Sequence, residues 1–213
     1  MALSKVNFNS LNLTPTASKT VVFNSNNNGI EAGDVGGSLV LISEQTASSS
    51  STISFTSGID STYKEYLFTF NNIHPSAESV FSFQADTGTN TNYNQTITST
   101  AFTAQHGEGG SPASIFYNSG GDLAQGTGLQ QLSEYNGTEN DHNSSGYLHL
   151  FNPSSSVFVK HFISVSNLIG GEERNRNGYN SGYINTTTAI TRIRFKMDTG
   201  NIDSGQILLF GLN

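Results

Sequence analysis

The sequence predicts an all-β fold: an antiparallel β-sandwich, jelly-roll-like, preceded by an extended N-terminal arm. Three observations predict it. Apolar and polar residues alternate with period two in several segments, the pattern of a strand with one face buried and one face wet. Ser, Thr, Asn and Gly dominate the composition, and these residues rank low in helices. The strand-like segments recur about every ten residues with turn chemistry between them, as in sandwiches and jelly rolls rather than βαβ units.

The elements follow in order. Residues 1–37 read as an anchoring arm and hinge. Within them, "KTVVFNSN" offers one short strand whose apolar handle is Val21, Val22 and Phe23, and the Asn and Gly residues of 25–38 form a turn and a joint. Residues 38–213 read as the sandwich. "SLVLISEQT" and "STISFTSG" open it, the second with Ile53 and Phe55 on one face. "YKEYLFTFNNI" sets Tyr66, Phe68 and Phe70 against Glu65, Leu67 and Thr69. "SVFSFQAD" and "NYNQTITSTAFTAQH" alternate likewise. "GYLHLF" and "VFVKHFISVSN", joined by "NPSSS", read as a hairpin. "TAITRIRFKMDTG" points Ile193, Phe195 and Met197 inward and Arg192, Arg194 and Lys196 outward, and "GQILLFGL" closes the chain. The sum is eight or nine strands. Residues 103–146 and 166–184 are expected as long connections, with one short helix in "GTGLQQLSEY".

Composition narrows the function. The formal charge of −7 and the scarcity of clustered Lys and Arg argue against a nucleic-acid partner. The densest basic stretch, 192–196, is one face of a strand. With no Cys there is neither a disulfide nor a thiolate metal site. No apolar run approaches the roughly 18 residues of a membrane helix, and the first ten residues lack the apolar region of a signal peptide, so no membrane partner is expected.

Catalytic patterns are weak. His106-Gly107-Glu108 and Asp141-His142 carry ligand atoms, but as pairs, and a metal needs three or four converging groups. They read as polar loop residues, and no metal or cofactor is expected. Glu172-Glu173 and Glu139 with Asp141 lack the context of a glycosidase pair. No G-x-S-x-G elbow occurs, and "GDVGGS" precedes no Lys and opens no helix. The chain is expected to be non-enzymatic. "RNRNGYNSGYINTT" is the stronger binding signal. It places Tyr179 and Tyr183 with Arg174 and Arg176 in an Asn/Gly-rich loop, where aromatic, guanidinium and amide groups suit a glycan or protein surface.

The stretches "SLVLISEQTASSSSTISFTSGIDSTY" (38–63), "EYLFTFNNIHPS" (65–76), "GYLHLFNPSS" (146–155) and "FKMDTGNIDSGQILLFGL" (195–212) resemble structural proteins of marine bacteriophages, and so does the opening segment. The resemblance implies a tail-fibre, appendage or capsid-decoration protein on the virion surface, with other virion proteins as partners. Residues 1–37 would dock by strand addition to a neighbouring subunit. A homotrimer is expected, burying Val157, Val159 and Ile163 between subunits, with a host-surface glycan as a further partner of the 174–183 loop.

Overall fold

The computed structural model describes residues 19–23, 26, 28–34 and 39–212. Contacts divide the chain into two units, Met1–Ser38 and Leu39–Asn213. In the first, Lys19–Phe23 (β1) pairs antiparallel with Ile30–Asp34 (β2), with Phe23 opposite Ile30. The expected hinge over 25–38 therefore contains a strand. Its sequence, IEAGD, holds one good strand former, so pairing with the Val-Val-Phe of β1 supplies what propensity does not. Val21 and Phe23 are exposed and Val22 is half-buried. The rest of the expected arm, 1–18, and the Gly-rich stretch 35–38 lie outside the described residues.

The second unit is an antiparallel β-sandwich. One sheet has eight strands, in the order Leu39–Thr46 (β3), Ile202–Leu212 (β14), Glu65–Pro75 (β5), Ser144–Phe151 (β10), Lys160–Gly170 (β11), Arg174–Ile184 (β12), Ile97–Gly107 (β7) and Ala113–Tyr117 (β8). The other has four: Ile53–Phe55 (β4), Ile190–Met197 (β13), Ser79–Thr87 (β6) and Gln130–Asn136 (β9). The chain passes repeatedly between the sheets, from β5 to β6 and on to β7, and again from β12 through β13 to β14. The antiparallel β-sandwich is the architecture that the sequence predicts.

On β4, β5 and β13 the inward faces are those read from alternation. Tyr66, Phe68 and Phe70 of β5, Ile207 and Leu209 of β14, and Leu148 and Leu150 of β10 face Phe55, Phe81, Phe83, Ile193, Phe195 and Met197 of the smaller sheet, all buried. Phe195 is the hub. Its ring lies 5.4 Å from Phe68 and 6.1 Å from Phe55, both edge-on, and stacks 5.8 Å from Phe81. Edge-to-face and offset rings at these separations add to the burial itself.

The other half of the sandwich adds polar contacts to an apolar core in which Phe83 meets Phe162 edge-on at 5.2 Å. The Leu132 carbonyl on β9 accepts from Ser166 Oγ at 2.7 Å and Asn180 Nδ2 at 3.3 Å on the large sheet. Glu134 on β9 accepts from Thr103 and from Asn118 Nδ2, and pairs with Arg176 Nη1 at 3.1 Å. The outward face of β6 is also covered. Gln84 is fully buried and donates to the carbonyls of Gln95, Thr127 and Gly128. Asp86, equally buried, accepts from the amides of Thr87 and Tyr93 and from Gln95. Loops therefore lie over the small sheet, and its central strand is enclosed on both faces.

Several expectations change. Residues 126–135, expected to hold a short helix, include strand β9. The connection expected at 103–146 contains the end of β7 and the strands β8 and β9, and that at 166–184 is the hairpin of β11 and β12. The strand expected from Val157 begins at Lys160 instead; Val157 and Phe158 sit exposed in the preceding loop.

Lys160 explains where that strand starts. Its side chain points inward and is fully buried. Nζ donates to the carbonyls of Phe158 at 3.0 Å and Thr186 at 2.9 Å, tying the loop before β11 to the turn after β12. Burial lowers its pKa from the ordinary lysine value of 10.5. A base whose folded pKa is lowered leaves the unfolded chain holding more protons between the two values, so stability from this group rises with pH across that window. Thermal melts of the wild type and Lys160→Met across the alkaline range should show the wild type gaining on the variant as pH climbs through the lowered pKa towards 10.5. At neutral pH the variant should lose roughly 1–3 kcal/mol, because two carbonyls are left unpaired.

Candidate interaction face

Strand β12 carries the four residues expected to form a binding loop, and the strand separates them. Arg174 and Arg176 occupy even positions; Tyr179 and Tyr183 occupy odd ones. The register with β11 and β7 runs without a bulge from Arg174 to Ile184, so the arginines and tyrosines lie on opposite faces of the sheet. The even face looks into the sandwich, where Ile184 and Asn180 are buried. Arg176 is mostly enclosed there between Glu134 and Glu172 Oε2, the latter at 3.2 Å. Arg174 pairs with Glu172 at 2.8 Å. Both arginines serve the fold's own ion pairs, and no loop joins them to the tyrosines.

The loop-like sequence has a steric cause. Gly182 faces inward beneath Phe162, where an added Cβ would lie 2.4 Å from the Thr98 carbonyl oxygen and 2.9 Å from the Phe162 ring. With Gly178, Asn180 and Gly182 on its inward side, the strand lacks the apolar alternation that would reveal it.

The odd positions open onto the outer face of the eight-stranded sheet. Registers define rows across it. One runs Tyr117, Phe102, Tyr179, Val165, Tyr147, Thr69, Leu208. The next runs Thr100, Ser181, Ile163, His149, Leu67, Phe210, Leu41. A third includes Thr98, Tyr183 and His161 and, further across, Glu65, Leu212 and Leu39. Phe102 is 46% exposed, Ile163 46% and Leu41 52%. Phe102 and Tyr179 stack at 4.8 Å with their planes 9° apart, and Asn177 Nδ2 donates to Tyr179 Oη at 3.1 Å. His149 Nε2 lies 3.0 Å from Glu65 Oε2, and its ring packs 4.1 Å from Phe151.

Size and chemistry set this face apart. Three rows, each crossing about seven strands at about 4.8 Å, give a footprint of roughly 30 by 20 Å, or about 600 Å². A footprint of that size approaches the roughly 800 Å² that each partner contributes to a stable interface. Aromatic side chains are frequent. Glu65, held by His149, and Glu44, at the edge, are the carboxylates among the described residues of these rows. Depletion of charge with enrichment in Tyr and Phe is the composition of an interface core. At one end, Phe151, His161, Ile163 and Tyr183 line a shallow groove of about 500 Å³ with Thr98, Thr100 and Ser181.

Among the residues expected to be buried between subunits, Ile163 lies on this face. Val157 is exposed in the loop before β11, and Val159 beside it is half-buried. Val21, Val22 and Phe23 belong to the first unit. Most of the apolar rows escape sequence reading, because they become contiguous only through long-range pairing such as Phe210 with Leu67 and Leu41. The signal that would have found them is alternation in which the outward positions are also apolar, as in "QILLFGL" and "EYLF".

Comparison with known proteins returns no matching family model, no matching curated protein and no matching solved structure.

The two faces of β12 should respond differently to substitution. Arg176→Ala should lower stability by roughly 1–3 kcal/mol by leaving the enclosed Glu134 short of a partner. Tyr179→Ala should cost less, about 0.5–1.5 kcal/mol from the lost ring stacking. Equilibrium urea denaturation of the two variants checks the order.

Proposed function

We propose that this chain is a non-enzymatic structural subunit of a bacteriophage particle, a homotrimer on the virion surface whose copies meet through the outer face of the eight-stranded sheet. The observation that carries the assembly is that face: broad, aromatic and nearly free of charge. The particle context rests on the sequence resemblance to marine phage structural proteins. In this reading residues 1–37 attach the subunit to another virion protein, and the exposed Val21 and Phe23 of β1 are the apolar contacts it offers. A tail-fibre or appendage position is the first choice, with capsid decoration or a head fibre as the alternative place in the particle. Enclosing the sheet face between copies follows from the ordinary gain of about 25 cal/mol per Å² of apolar surface removed from water.

Light scattering coupled to size exclusion tests the assembly. The full chain should run as a trimer at micromolar concentration, and Ile163→Glu, which sets a charge on the face, should run as a folded monomer. A monomeric wild type would overturn the proposal.

The groove beside Tyr183 favours a second reading, a carbohydrate-binding module that recognises a host-surface glycan. Aromatic rings flanked by hydroxyls can stack on a sugar and bond its edges. A glycan array tests this reading: binding lost in a folded Tyr183→Ala variant supports recognition, and an array without signal removes it.

A further inference from the structure

The turn between β9 and β10 holds a second feature, independent of the sheet face. His142 is 3% exposed, yet its ring makes no hydrogen bond: Nδ1 is buried without a partner, and Nε2 stands 4.0 Å from both Glu139 Oε2 and Asp141 Oδ1. Those separations are too long for hydrogen bonds. They are of the order expected of atoms held around one small ion at about 2.0–2.2 Å each.

The ring's position is built into the backbone. Gly137 lies under it, where a Cβ would fall 2.1 Å from Nδ1. The His142 amide donates to the Glu139 carbonyl at 2.9 Å, closing a turn that brings Glu139, Asp141 and His142 to one side. His74 Nε2 contacts the same carbonyl at 3.1 Å and fixes the turn against β5. The two carboxylates are largely exposed, 70% and 87%, and Asp141 and His142 border a polar hollow of about 450 Å³. Nδ1 stays enclosed over Gly137, and Nε2 is the nitrogen that both carboxylates approach. The three groups bring one ligand atom each within 4.8 Å of one another around that nitrogen.

We propose that Glu139, Asp141 and His142 form a binding site for a divalent first-row metal ion of the zinc class, with His142 Nε2 and one oxygen from each carboxylate as ligands and water completing the shell from the hollow. One imidazole with two carboxylates suits zinc or manganese better than calcium, which takes oxygen ligands throughout. Because all three ligands come from one short loop, a bound ion would close the β9–β10 turn on itself.

Isothermal titration of the full chain with zinc chloride, with thermal melts, tests it. The wild type should bind one zinc per chain and melt higher with zinc. Glu139→Gln and Asp141→Asn, both at exposed positions that leave the fold intact, should lose the bound zinc and the rise in melting temperature. His142→Gln should lose both as well, and its circular dichroism reports whether it has folded. Three results would overturn the assignment: no zinc binding by the wild type, zinc stoichiometry unchanged in the Glu139→Gln, Asp141→Asn double variant, or binding that a folded His142→Gln retains.

Discussion

The Phe195 ring, wedged between Phe68 of the large sheet and Phe55 and Phe81 on its own, is the contact on which the sandwich depends. A sheet buries one face against a partner layer, and here four strands must cover eight. The rings around Phe195 secure the half nearest β5, β10 and β14, and Phe83 against Phe162, with Ile97, Leu132 and Ile184, carries the apolar core into the other half. That half is joined as well by the Leu132 carbonyl and the Glu134 carboxylate of β9, which reach β7, β11 and β12 through hydroxyl, amide and guanidinium donors. These polar bonds between layers fit a composition in which Ser, Thr and Asn are so common. They also assign Arg176 to the fold rather than to a ligand.

The outer face of the large sheet follows from the same constraint. With no further layer of this unit over it, that face should be polar if it met water permanently. Instead Phe102, Tyr147, Ile163, Leu67 and Phe210 run across it. The proposed contact between copies accounts for an apolar outer face that a solitary sandwich would have no use for.

Legibility in the sequence tracked the chemistry of the inward side of each strand. Where inward residues are aromatic and aliphatic, as in β5 and β13, alternation revealed strand and face together. Where they are Gly and Asn, as in β12, or mix Leu132 with polar side chains, as in β9, the strands read as a loop or a helix. Burial there is achieved by close backbone approach at Gly182 and by hydrogen bonds to Leu132, neither of which leaves a periodic mark. Parity would have separated Arg174 and Arg176 from Tyr179 and Tyr183 once the strand was recognised. The Asp141-His142 pair was visible, but the contribution of Glu139 and the burial of His142 over Gly137 depend on the turn closing. In the first unit, β2 forms by pairing with β1 and has little strand preference of its own.

Hydroxyl-radical footprinting of the full chain at micromolar concentration tests the central claim most directly, because it reads the solvent contact of individual side chains. If the outer face is enclosed between copies, Phe102, Tyr147, Ile163 and Phe210 should be protected. Tyr135, which is 56% exposed and lies on β9 of the smaller sheet, should label freely in the same sample. Labelling of the four face residues at a rate matching their exposure in the single subunit would contradict the account.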